Sequence, residues 1–172
     1  MEKQGVQTNT QIIILNGLIA GLYIALTLVI APIAQGPIQF RISESLNHIV
    51  VFNKKLMWGV FLGVVVFNLF FSHGGLMDVV FGGSQTLIAL LLTAYSEKWI
   101  KDTKKRMIFN TFIFSISMIL IAIMISILSN QAIGSSFFWI TYGTLFLSEL
   151  IVMSISAPVI YYINKFVHFD RY

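Results

Sequence analysis

From residue 107 to residue 128 the chain reads MIFNTFIFSISMILIAIMISIL, without one charged side chain. About twenty such residues cross a bilayer as a helix, and no soluble fold needs several stretches like it. Apolar runs recur along the chain, and the charges collect at the joins between them. Only 10% of the residues are charged and 57% are hydrophobic, where a soluble domain carries about 25% charge. The sequence therefore predicts an all-α integral membrane protein, a single membrane domain over 1–172.

Length and punctuation divide the chain into six spans, at 12–31, 41–52, 56–71, 76–95, 107–128 and 137–164. Pro32 ends the first, and PIAQGPIQF (32–40) reads as a loop. The second span is short, about 18 Å as helix, and is expected to lie partly within the protein. With both termini cytoplasmic, the inside segments hold Lys3, Lys54, Lys55, Lys98, Lys101, Lys104, Lys105, Arg106, Lys165 and Arg171. That leaves Arg41 as the one basic residue of eleven at an outside edge, as the positive-inside rule requires. Basic residues set in short runs between apolar spans are membrane loops, so the net charge of +4 does not point to nucleic acid. The polar N-terminus and the long first run lack the cleavage site of a signal peptide. With no cysteine there are no disulfides or thiolate metal sites. No Walker sequence G-x-x-x-x-G-K-[ST] occurs, so this chain is not expected to hydrolyse nucleotide by such a site.

Five ionisable residues nonetheless lie in or at the rim of the spans: Arg41, Glu44, His48, Asp78 and Glu149. Each costs at least about 2.5–3.5 kcal/mol at the centre of a bilayer. Arg41 and Glu44, three apart, are spaced to pair on a helix face. His48 lies one α-turn beyond Glu44 on the same face and reads as a packing residue satisfied by hydrogen bonds. Asp78 opens the fourth span, where an acid offsets the helix dipole. It also heads a polar stripe with Gly82 and Gln85. Glu149 sits deep in the last span with no basic neighbour in sequence, on a face with Tyr142 and near Trp139, and Asn68 adds an amide in the third span. Carboxylates, amides and aromatic rings together suit a ligand rich in N–H donors or cationic, with a flat face. No metal is expected, because Glu44/His48 is the one pair with ligand spacing. In the first span, Gly17, Gly21 and Ala25 form a ridge of small residues that would let another helix approach closely.

The stretches GPIQFRISESLNHIVVF (36–52), NLF (68–70), GGLMDVVFGGSQTLIALLLT (74–93) and LSELIV (147–152) resemble the QueT family. These are queuosine-precursor transporters, substrate-binding (S) components of energy-coupling factor (ECF) transporters. Ser45 stands where alanine is commoner in that family, and His48 where an apolar residue is expected. The resemblance implies a six-helix S component that captures a 7-deazaguanine base, queuine or its aminomethyl precursor, beneath a cap formed by the 32–40 loop. Glu44, Asp78 and Glu149 would take its donors, Asn68 and Gln85 the remaining edge, and Trp139, Tyr142 or Phe40 the ring face. Arg41 would fix Glu44. The Gly17/Gly21/Ala25 ridge would dock on the transmembrane coupling subunit, with two separate ATPase subunits supplying energy and no cofactor in this chain. Rival readings are an S component for another base or a vitamin, and a proton-driven secondary transporter with Glu149 as relay. An enzyme is not expected, since neither a nucleophile–base pair nor a metal signature appears.

Overall fold

The computed structural model describes residues 9–30, 41–72 and 74–171. Six α-helices follow one another: α1 Asn9–Ile30, α2 Ile49–Phe52, α3 Met57–Phe70, α4 Leu76–Tyr95, α5 Thr103–Leu128 and α6 Ser136–Val167. A 3₁₀ segment, Ile42–His48, runs without a break into α2. The described residues contain no strand. Among the described residues, four helical stretches are long and apolar enough to cross a membrane: Thr10–Ile30, Leu76–Lys98, Thr103–Leu128 and Ser136–Val167. The protein is thus an all-α membrane protein. α3, at 14 residues, and the 42–52 segment are shorter than these four.

Burial runs opposite to that of a soluble domain. Ile13, Val29, Leu76 and Phe166 are exposed around the periphery, where acyl chains satisfy them, while Glu44, Asn47, His48, Gln85, Asn110 and Glu149 are all buried. Neighbouring contacts run α1 to α3 to α4 to α5 to α6, and the 42–52 segment packs inside this arc against every one of them. That position explains how so short a helix survives at membrane depth: protein rather than lipid surrounds its polar groups. An apolar groove of about 220 Å³ opens between α1 and α6, lined by Leu15, Leu22, Leu46, Ile49 and Ile160 among others.

Two ridges of small residues are put to opposite uses. On α3, Gly59 and Gly63 receive α1: a Cβ at Gly59 would lie 2.7 Å from the Asn16 carbonyl, and one at Gly63 would lie 2.8 Å from Tyr23 Cβ. Asn16 Oδ1 seals this seam by accepting the Gly59 N–H. Gly17, Gly21 and Ala25 on α1 face the other way and are exposed, with nothing within 4 Å of a Cβ at either glycine.

The segments predicted to lie on one side of the membrane gather at one end of the molecule. Lys54 pairs with Glu97 across 2.5 Å, the Asn53 amide donates to the Phe169 carbonyl at 3.0 Å, and Asn16 donates to the Lys55 carbonyl. Lys104 and Lys165 both lie over the Tyr161 ring. α5 starts at Thr103, ahead of the predicted 107, because the Asp102 carboxylate caps it by accepting the Lys105 N–H.

Candidate functional site

The 42–48 segment decides the geometry of the site. A 3₁₀ helix has three residues per turn, so side chains three apart stack in a row. Arg41, Glu44 and Asn47 form that row. Arg41 Nε lies 3.6 Å from Glu44 Oε1, and Asn47 Nδ2 donates to Glu44 Oε2 at 2.5 Å. From α1, the buried Tyr23 hydroxyl donates to Glu44 Oε1 at 3.0 Å. Runs of 3₁₀ beyond three or four residues are uncommon, and this one has seven. The long run corrects the α-helical expectation that His48 shares the face of Glu44. Asn47 takes that place, and His48 is turned toward α5 and α6.

His48 is fully satisfied there. Its Nε2 lies 2.9 Å from the Met153 carbonyl, which can only accept, so Nε2 carries the proton. Nδ1 then accepts from Asn110 Nδ2 at 3.1 Å, and Asn110 Oδ1 accepts from Thr93 at 2.6 Å. The expectation of a hydrogen-bonded packing histidine agrees with this geometry.

Arg41 is electrostatically linked to acids on separate elements. Its guanidinium, half-buried and 3.9 Å from the Met118 sulfur, is within electrostatic reach of Glu44, of Asp78 on α4 and of Glu149 on α6. Glu149 in turn feels the charges of Glu44 and Arg41. It is 1% exposed, and its Oε1 has no hydrogen-bond partner among the described residues. An unmet buried acceptor on a carboxylate is costly, and proteins keep few of them.

The remaining expected site residues are held in other ways. Asp78 Oδ2 accepts the Gly74 N–H at 2.8 Å, and Asn68 Nδ2 donates to the Asp78 carbonyl at 2.9 Å. Gly82 leaves room for that amide, since a Cβ there would meet Asn68 Nδ2 at 2.5 Å. Both ends of Gln85 are engaged within the protein: Nε2 donates to Ser117 at 2.7 Å and Oε1 accepts from Thr86 at 3.1 Å. Tyr142 is partly buried and edge-on to Trp139, with ring centroids 6.3 Å apart, while Trp139 itself is 57% exposed. Phe40 and the 32–40 loop lie outside the described residues. Tyr23 and Asn47 escaped the sequence reading. For Asn47 the signal was present as R-x-x-E-x-x-N (41–47), a polar repeat of three.

Among the described residues no group of three His, Cys, Asp or Glu side chains could hold a metal ion. What the cluster offers is acceptors: carboxylates and amide carbonyls, with one guanidinium holding their charges close. Such a site suits a ligand that brings N–H donors or positive charge.

Comparison with known proteins agrees in kind. The family described as "QueT transporter" matches residues 13–165. A curated relative, "Queuosine precursor transporter QueT" of Lactococcus lactis subsp. cremoris (strain MG1363), is 33% identical over 174 residues, covering 96% of this chain and 99% of its own. No solved structure matches.

Proposed function

The chain belongs to the QueT transporter family, and from that premise we propose that it binds a queuosine precursor, a 7-deazaguanine base, for uptake across the cell membrane. It is a multi-pass membrane protein of a transporter family, which supports reading it as a transporter rather than an enzyme. Its substrate is a small molecule and its surroundings are the bilayer.

The observation that carries the reading is the buried Oε1 of Glu149, without a hydrogen-bond partner among the described residues and, like Glu44 and Asp78, within electrostatic reach of Arg41. A deazaguanine base presents adjacent N–H donors on one edge, and its aminomethyl form adds an amine that is cationic near neutral pH. Carboxylates gathered from α4, α6 and the 42–48 segment match both features. Glu149 takes edge donors, while Glu44 and Asp78 supply negative charge nearby. Fatty substrates would have no use for the acids, and phosphorylated ones would be repelled by them.

The finer reading is an S component of an ECF importer. In it the chain captures substrate, and a transmembrane coupling subunit with two ATPase subunits drives release inside. Its supports are the absence of a Walker sequence and the exposed Gly17/Gly21/Ala25 face, which offers a partner helix close backbone approach. The six-span topology with cytoplasmic termini belongs to the same proposal.

The test is to identify by mass spectrometry the small molecule that co-purifies with the detergent-solubilised chain. A 7-deazaguanine base is expected, and a vitamin or an unrelated base would overturn the assignment. Substrate uptake into proteoliposomes by this chain alone, driven by a proton gradient, would overturn the ECF reading in favour of a secondary transporter.

A further inference from the structure

Among the described residues, two of the buried side-chain atoms without a hydrogen-bond partner, Asn47 Oδ1 and Glu149 Oε1, belong to residues linked to Glu44, the first by its hydrogen bond and the second by charge. Asn47 is 0% exposed. Its amide could in principle sit either way round, because nitrogen and oxygen are alike in shape, and the network must choose. Here the choice is forced. Glu44 receives the Tyr23 hydroxyl, lies beside the Arg41 guanidinium, and accepts the third contact, from Asn47, at 2.5 Å. A carboxylate held among donors accepts only, so the Asn47 NH₂ must face Glu44. The Asn47 carbonyl oxygen is therefore turned away from Glu44 and finds nothing to accept from among the described residues. The 3₁₀ stacking of 41, 44 and 47 keeps all three side chains in this order.

We infer that Asn47 Oδ1 is a specificity-determining acceptor, which takes the exocyclic amino N–H of the substrate edge while Glu149 Oε1 takes the neighbouring ring N–H. This rests on the substrate proposed above and divides the labour within the cluster. Glu44, braced by Tyr23 and Arg41, acts as a positioning residue that orients the Asn47 amide. The pair of acceptors reads a base carrying both a ring N–H and an exocyclic amino group, a guanine-type edge. A hypoxanthine-type edge, which lacks the exocyclic amino group, leaves one acceptor buried and unpaired, and sites of this kind discriminate strongly against such analogues.

The experiment uses the full chain in detergent and two ligands, aminomethyl-7-deazaguanine and its analogue without the exocyclic amino group. Wild type should prefer the first by at least about tenfold. In Asn47→Ala that preference should shrink to about threefold or less, because the analogue no longer leaves an acceptor stranded. If Asn47→Ala does not fold, Asn47→Ser retains a donor for Glu44 and is put through the same two titrations. A preference unchanged in the variant, with both affinities falling in parallel, would make Asn47 a structural brace. It would overturn this inference and leave the proposed function standing. Equal affinity of wild type for the two ligands would do the same. Wild type binding neither ligand would overturn both.

Discussion

The 42–52 segment carries two buried polar clusters, centred four residues apart on Glu44 and His48, and they end differently. At His48, the ring nitrogens, the Met153 carbonyl, the Asn110 amide and the Thr93 hydroxyl are joined in a continuous chain of bonds. Around Glu44, two acceptors, on Asn47 and Glu149, have no hydrogen-bond partner among the described residues. Both clusters are equally hidden from solvent. Burial of polar groups therefore does not tell the two clusters apart, whereas closure of the hydrogen bonding does. The closed cluster ties the inserted segment to α5 and α6, and the open one leaves acceptors that the proposed substrate would complete.

The contrast can be broken by substitution. His48→Ala strips partners from the Met153 carbonyl and the Asn110 amide and leaves a hole, so it should cost about 2–4 kcal/mol of stability. Its effect should appear in thermal unfolding in detergent, with ligand preference unchanged in the protein that remains folded. A change in preference would merge the two clusters into one site. Gly63→Ala forces a methyl group against Tyr23 and the Ala20 carbonyl. It should cost about 1–3 kcal/mol and also weaken ligand binding, since Tyr23 braces Glu44. Tyr23→Phe removes one hydrogen bond to Glu44 and should cost about 1 kcal/mol, read as a matching loss of affinity by equilibrium titration. The smallest effect on the isolated chain is expected from Gly21→Leu, on the exposed face of α1. Stability should stay within about 0.5 kcal/mol and binding should not change, whereas uptake in cells supplying the partner subunits should collapse. Loss of binding in the purified Gly21→Leu chain would place that face in the fold rather than at an interface.

The long helices were legible because the bilayer imposes their length and composition. The ends of α1, α5 and α6 were less so: capping by Asp102, for instance, carries α5 through the basic run that looked like loop. The second segment was legible as short and internal but not as 3₁₀. Read with α-helical spacing, Glu44 points to His48, and Asn47 drops out of the site. The amides of Asn68 and Gln85 drew attention as intramembrane polar groups. Their partners, the Asp78 carbonyl and Ser117, lie 10 and 32 positions away in sequence and could not be foreseen. The two glycine ridges look alike as spacing, and only the packing of Asn16 and Tyr23 shows which one is filled. The gathering of Glu44, Asp78 and Glu149 into one site is an expectation from chemistry, supported by Arg41 lying within electrostatic reach of all three.

The central claim is that the open cluster binds the substrate, and Glu149→Gln tests it most directly. The substitution keeps the shape of the side chain but replaces half of its acceptor capacity with a donor. Titration of the purified chain with aminomethyl-7-deazaguanine should show saturable binding to wild type and at least about tenfold weaker binding to Glu149→Gln, about 1.4 kcal/mol. Equal affinity in the two proteins would contradict the account.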